Sequence, residues 1–425
     1  MNVPLWSVIL VSVVTAVIFG LILVIFGRNE KEITHRVSHL YPVSDPQFLR
    51  SMGVLLGPAL VRGNRVETLL NGSEIFPAML KAIREAEKTI TFETYIYWSG
   101  AIGRKFAETL SEKARQGVRV HVLLDWVGSE KMEEAYIQTM RDAGIEIEKY
   151  HPPTWRTWRR INNRTHRKIL VLDGKTGFTG GVGIADEWLG DAQGPDNWRD
   201  THYRIEGPVV AQLQAAFADN WTKVKGSVLH GGEYFPELKE HGSNLAQVFK
   251  SSIEGGAESM HLMYLLSIAA AKKSIHLSMA YFVPDALTRD AMVAALKRGV
   301  RIQIILPSRY IDKPLVRSAS RGTWGVLLRS GAEIYEFQPT MYHCKLLIVD
   351  ELWVSVGSTN FDSRSFKLND ESNLNVYNQE FAERQVADFK VDLTRSRQIT
   401  FQEWASRPLT EKAWEYSLKI IRPQL

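Results

Sequence analysis

Two stretches of the chain place a histidine, a lysine two residues later and an aspartate five residues beyond the lysine. They are His166-Arg167-Lys168-Ile169-Leu170-Val171-Leu172-Asp173 and His343-Cys344-Lys345-Leu346-Leu347-Ile348-Val349-Asp350. Each leads into a loop of small residues, Gly180-Gly181 after the first and Gly357-Ser358-Thr359-Asn360 after the second. A single H-x-K would read as a surface histidine beside a solvated lysine, but the same spacing twice in one chain is hard to dismiss. Read as a strand, the second copy points His343 and Lys345 to one side, because residues i and i+2 share a face. Asp350-Glu351 is turn-like, and Leu352 to Val356 reads as a returning strand that ends at the Asn360 loop. Imidazole, ammonium and amide converging in this way suit an anionic phosphate ester.

Phosphodiester exchange without a metal needs a nucleophile, an acid for the departing alkoxide and cationic donors for the phosphoryl oxygens. Two histidines and two lysines supply all of these. One imidazole must be neutral and the other protonated at working pH, which carboxylates nearby can arrange. Asp200, in Trp198-Arg199-Asp200, and Glu371, in Asn369-Asp370-Glu371, lie ahead of matching strands and are the candidates. The chain has no H-x-H or H-E-x-x-H pattern, and Cys344 has no cysteine partner, so no zinc site is expected. No Walker or dinucleotide fingerprint follows a strand, and no cofactor is expected.

The elements that must position these residues alternate, and they do so twice. The first pass is strand 90–97, helix 102–115, strand 118–124, helix 130–143 and strand 145–150; the second is strand 275–282, helix 287–297, strand 300–306, helix 315–329 and strand 332–337. Gly117 and Gly299, and then Gly144 and Gly331, stand where helix C-caps belong. Each half closes with a strand and a helix, at 202–207 and 209–221 and again at 373–377 and 381–393. This is an α/β pattern, predicting mostly parallel sheets flanked by helices, one per half, in a pseudo-twofold arrangement with a shared active site. The expected organisation is an anchor at 1–28, a connector at 29–56, a first half at 57–226, a linker at 227–244 and a second half at 245–425.

At 425 residues, 45% hydrophobic and 23% charged, the chain is globular and large enough for two fused halves, and a mainly disordered chain is excluded. With 52 basic against 47 acidic groups it is mildly basic, which suits anionic lipid and nucleic acid about equally. One cysteine excludes an intramolecular disulfide framework. Pro4 to Phe26 carries no charge and is long enough to span a hydrocarbon core, so one N-terminal transmembrane helix is expected. Arg28, Lys31 and Arg36 follow it and no basic residue precedes it, which places the catalytic part on the cytoplasmic side of the cell membrane. The stretch His151 to Arg160 interleaves Trp155 and Trp158 with Arg156, Arg159 and Arg160. Such a loop fits a membrane interface, a nucleic-acid groove or an ordinary surface.

The duplicated H-x-K-x4-D motif with its following G-S-x-N resembles that of the phospholipase D superfamily. Phe92-Glu93-Thr94-Tyr95-Ile96-Tyr97, Tyr281-Phe282-Val283-Pro284-Asp285, Glu336-Phe337-Gln338-Pro339 and Gly357 to Phe366 are most similar to bacterial cardiolipin synthases, and the likeness runs from about Gly57 to the C-terminus. It implies transfer of a phosphatidyl group between two phosphatidylglycerol molecules through a phosphohistidine, releasing glycerol, with the membrane and its anionic phospholipid as partners and no nucleic acid. It also implies a catalytic set of His166, Lys168, Asp173, His343, Lys345 and Asp350, phosphate contacts from Asn360 and Ser358, and imidazoles oriented by Asp200 and Glu371. Asp173 and Asp350 belong to that signature, although a place at a strand end suits structural support better than proton transfer. Gly183 stands where the family has an asparagine, so the site should be asymmetric. The competing readings are transfer to water, as a phospholipase or a membrane-tethered nuclease, and a scaffold with a relic site. Intact motif residues in both halves argue against the scaffold.

Overall fold

The computed structural model describes residues 4–26, 33, 35–39, 41–152, 162–252, 259–420 and 422–424. Arg28, Lys31 and the tryptophans and arginines of 155–160 lie outside these residues. The strands of the first half are β1 (Val61–Leu70), β2 (Thr89–Thr94), β3 (Arg119–Asp125), β4 (Glu146–Tyr150), β5 (Arg164–Thr165), β6 (Ile169–Leu172), β7 (Thr176–Gly180) and β8 (Thr201–Glu206). Those of the second are β9 (Asn244–Ser251), β10 (Ser274–Met279), β11 (Phe282–Val283), β12 (Arg301–Pro307), β13 (Glu333–Phe337), β14 (Lys345–Val349), β15 (Trp353–Gly357), β16 (Phe361–Asp362), β17 (Asn369–Tyr377) and β18 (Ser396–Ile399).

The predicted repeat is present in the strand order. From the centre outward the first half reads β1-β8-β7-β6-β2-β3-β4 and the second β9-β17-β15-β14-β10-β12-β13, with β18 added at the edge. Two expectations need correction. The halves do not carry separate sheets: β1 pairs with β9, so that one sheet runs through both. Nor is the sheet mostly parallel. The parallel runs that helices join are β2–β3–β4 and β10–β12–β13, whereas the motif strands enter as antiparallel hairpins, β6–β7 and β14–β15. A hairpin needs only a tight turn, while a parallel neighbour needs a crossover, and the short interval after each motif permits only the former.

Smaller differences have local causes. Asn71-Gly72, a dipeptide common in turns, opens the helix Asn71–Glu85, and the helix expected over 315–329 is split into Pro314–Arg321 and Trp324–Arg329. Gly117, Gly144, Gly299 and Gly331 all take positive φ after their helices, as their C-cap role requires. One core lies over each half on one face of the sheet, and a third, under helices Val210–Lys225 and Gln379–Thr394, contains residues of both halves. The two halves are therefore one packed body. The stretch expected as a connector contributes Val43, Phe48 and Met52 to the second half's core, with Phe48 edge-on to Trp353 at 5.1 Å.

The helix Leu5–Phe26 has 22 residues, and its described side chains, from Trp6 to Leu21, project outward. Among the described residues no helix is long and apolar enough to cross a membrane.

Candidate active site

Each motif histidine sits just before a central strand, β6 or β14, and each is stitched to the opposite half by its own backbone. The His166 N–H donates to the Asp370 carbonyl at 2.9 Å, and β5 pairs in parallel with the start of β17. In mirror fashion the His343 N–H donates to the Arg199 carbonyl at 2.8 Å, beside a bridge between Arg199 and Tyr342. The residue after each accepting carbonyl is a carboxylate. The side chains consequently pair across the halves: His166 Nδ1 lies 3.0 Å from Glu371 Oε2, and His343 Nδ1 lies 2.7 Å from Asp200 Oδ2. The sequence picks out all four residues; the crossing is a finding of the structure.

The site is deeply enclosed. Asp200 and Glu371 are fully buried, and His166, His343, Lys168 and Lys345 are all less than a tenth exposed. Burial pushes the carboxyls up, but the facing imidazole, its hydrogen bond and the neighbouring lysine outweigh it and hold both below the ordinary carboxylate value. Burial pushes the imidazoles down, His166 to about 3 and His343 to about 4, and the lysines down to about 7 for Lys168 and about 8 for Lys345. Burial thus favours the neutral form of both imidazoles. An ionised carboxylate accepts only, so each Nδ1 carries the proton and each Nε2 lone pair is left for phosphorus or for an incoming proton. Lys345 Nζ lies 3.0 Å from both ring nitrogens of His343, and Lys168 Nζ donates to the His166 carbonyl at 2.8 Å.

The remaining predicted residues divide. Asn360 lines the cleft beside His166 with its Oδ1 unpartnered among the described residues. Ser358 does not face a ligand: its hydroxyl donates to Glu371 Oε2 at 2.5 Å and accepts from the Ser372 N–H, so it braces the carboxylate, and its expected phosphate contact is withdrawn. Asp173 and Asp350 leave the catalytic set as well. Both have φ of 53° at the hairpin turn, at the far end of the motif strand, roughly 20 Å of extended chain from their histidines. Their carboxylates accept three backbone N–H groups each, from Glu87, Lys88 and Thr89 and from Lys272, Lys273 and Ser274, at 2.7–3.0 Å. They fasten each hairpin to the start of the neighbouring strand.

Trp188 is a residue that sequence reasoning misses. Its indole N–H donates to Asp200 Oδ2 at 2.9 Å, the place Ser358 takes beside Glu371. Gly181 is the counterpart of Ser358, and a Cβ there would stand 2.2 Å from Asp200 Oδ1. Gly183, where an asparagine was expected, is packed against Ile96, whose Cβ would be 2.7 Å from an added one. The predicted asymmetry is thus present, with an aliphatic wall in place of an amide. A cavity of about 210 Å³ is lined by both imidazoles, Lys168 and the rings of Tyr95, Trp198 and Tyr281. Among the described residues no group of His, Cys, Asp and Glu could hold a metal ion.

Residues 79–221 and 264–393 each match the family model described as "Cardiolipin synthase, PLD-like domain". The chain is 33% identical over 365 residues to the major cardiolipin synthase of Bacillus subtilis, covering 85% of this chain and 76% of that protein. It is 34% identical over 372 residues to cardiolipin synthase 1 of Staphylococcus aureus, covering 86% and 75%. Among solved structures, phosphatidylserine synthase from Haemophilus influenzae superposes with a TM-score of 0.66 at 14% identity, covering 86% of this chain and 97% of that one, a likeness of fold. Two matched copies of one domain on one continuous sheet, each with its H-x-K strand, make this chain a member of the cardiolipin synthase family within the phospholipase D superfamily.

Proposed function

We propose that this chain is a cardiolipin synthase that transfers a phosphatidyl group from one phosphatidylglycerol to the terminal hydroxyl of another. The observation that carries the reading is the crossed pairing of His166 with Glu371 and His343 with Asp200, which leaves two Nε2 atoms facing one cleft with two lysines beside them. An entering phosphodiester anion favours the protonated form of one imidazole. The other attacks phosphorus, forming a P–N bond as the P–O bond to the glycerol headgroup breaks, and the protonated imidazole gives its proton to the departing oxygen. The hydroxyl of the second phosphatidylglycerol then loses its proton to that imidazole and attacks phosphorus, releasing the P–N bond. Two phosphatidylglycerols become cardiolipin and glycerol, and both imidazoles return to their starting state. Lys168, Lys345 and Asn360 hold the phosphoryl oxygens.

Membrane association follows from the lipid substrate. The uncharged stretch of sequence 4–26 is the proposed single-pass anchor, with the catalytic halves, 57–226 and 245–425, on the cytoplasmic side. Purified protein given phosphatidylglycerol alone, with a chelator present, should form cardiolipin and free glycerol. Phosphatidic acid as the sole product would leave a lipase, and loss of activity on chelation would count against the histidine mechanism.

A further inference from the structure

A second cavity, of about 250 Å³, opens on the other side of His166 and shares Tyr95, Val127, Tyr281 and Lys313 with the first. The two differ in what else they present. The first reaches both imidazoles and has Ile96, Trp98 and Trp198 in its wall; the second reaches only His166 and is lined by Arg164, Lys313, Asn360 and Arg364. Arg364 is held in place by neutral acceptors, the Asn162 carbonyl and side-chain oxygen at 3.1 and 2.9 Å and the Gln424 carbonyl at 3.3 Å. Among the described residues neither Arg364 nor Lys313, which lies 5.1 Å from the Tyr281 ring, makes a close ion pair, and both act on the Asp362 carboxyl at longer range. The carboxyl that lines this cavity, Asp362, is turned to the Ser365 N–H at 2.8 Å. The Asn360 side chain, whose amide N–H groups can donate to an anion, lines the same cavity and is 3% exposed. Arg364 and Lys313 against the single carboxyl of Asp362 leave an excess of positive charge in a part-buried cavity, which favours an anion because water screens it poorly there.

The reaction proposed above supplies such an anion. An acceptor phosphatidylglycerol carries its own phosphate at the far end of the glycerol whose hydroxyl attacks, so a second phosphate must lie three carbons from the reacting oxygen. We propose that the second cavity is the subsite for the acceptor's phosphodiester, held by Arg364 and Lys313 beside Asn360, with its glycerol reaching past His166 to the phosphorus between the imidazoles. The inference rests on the cardiolipin synthase reading and adds the acceptor's place to it. Water or a neutral alcohol has nothing to offer this subsite, so the cavity selects the acceptor and leaves the donor alone.

The test uses the full chain with phosphatidylglycerol as donor in mixed micelles and three acceptors: phosphatidylglycerol itself, added deuterated glycerol and added glycerol phosphate. The wild-type protein should prefer glycerol phosphate to glycerol. Arg364→Met and Lys313→Met should each cut that preference, and the ratio of cardiolipin formation to glycerol exchange, at least tenfold, and Arg364→Lys should restore part of it. Because donor and phosphohistidine chemistry are common to all three reactions, the ratio isolates the acceptor. Lys313→Met removes no ion pair and serves if Arg364→Met does not fold. An unchanged ratio in every folded variant overturns the subsite, as does a wild type indifferent to the acceptor's phosphate. If instead the wild type exchanges glycerol yet makes no cardiolipin, it is the functional reading that falls.

Discussion

The two halves hold their imidazoles with the same backbone and different side chains. Glu371 is steadied by the Ser358 hydroxyl at 2.5 Å and the Asn369 amide at 3.2 Å, whereas Asp200 is steadied by the Trp188 indole at 2.9 Å and the Thr201 N–H at 2.8 Å. A shorter acid needs the small Gly181 beside it; a longer one leaves room for a serine. Behind them the charges are also redistributed. Arg167 in the first motif reaches Asp219, while the second motif has Cys344 at that place and Arg199, ahead of Asp200, reaches Asp392 instead. What repeats is the position of the imidazole and of its ionised partner. The donors that hold the partner have diverged, so geometry at the ring is the constrained quantity and the identity of its supports is not.

The comparison breaks most sharply at the rings. His166→Ala and His343→Ala should each lower cardiolipin formation by roughly 10³-fold or more, since nucleophile and acid–base partner are both needed; full turnover in either variant would mean that the halves do not share a site. Next come the partners. Glu371→Gln and Asp200→Asn should each cost roughly 10²-fold in kcat by releasing the tautomer and orientation of the ring in the opposite half. Gly181→Ser, which copies the second half's residue into the first, should be about as harmful, because its Cβ would strike the Asp200 carboxylate at 2.2 Å. A Gly181→Ser protein as active as wild type would show that the two supports are interchangeable. One step out, Ser358→Ala and Trp188→Phe each delete a single hydrogen bond to a buried carboxylate, about 2 kcal/mol, and should cost about tenfold each in kcat.

The pH profile sharpens the same comparison. The lysines act charged, and burial lowers Lys168 to about 7 and Lys345 to about 8, so their contribution to turnover should be complete below pH 7 and be lost as pH rises through 7 to 8, read as an alkaline limb in kcat. The attacking imidazole, held low by burial, stays neutral and nucleophilic over that range and sets no acid limb within it. An alkaline limb near pH 10 would mean that the ammonium groups are solvated. The smallest effect on turnover belongs to Asp173→Ala and Asp350→Ala. Each orphans three backbone N–H groups and should lower stability by about 2 kcal/mol, read as a shift in the unfolding midpoint, while the folded fraction keeps its rate.

Much of this was legible beforehand because it is local. The H-x-K spacing, the turns at Asp173 and Asp350 and the glycine caps each depend on neighbours a few residues away. Asp200 and Glu371 could be found because each stands two residues ahead of a matching strand, 202–207 and 373–377. The crossing could not, since nothing in the spacing of His166 and Lys168 says which half supplies the carboxylate. The single sheet was hidden for a related reason: β9 has weak alternation, and β1 shifts register between Val61 and Asn64, so the two strands that fuse the halves look like irregular chain. Ser358 was misread because a hydroxyl in a phosphate-type loop can turn to a ligand or to an acid behind it, and only the fold decides. Trp188 lies outside every repeated interval and offered no signal.

The backbone bonds from His166 to Asp370 and from His343 to Arg199 limit how a lipid can enter and leave. A hinge that swung the halves apart would pull both rings from their partners in the same motion, and the sheet through β1 and β9 would have to tear with them. Traffic must therefore pass along a standing channel, headgroup first, with acyl chains trailing outside. In such an enzyme the walls stay put, and a bulky headgroup is refused by width before it is judged by chemistry.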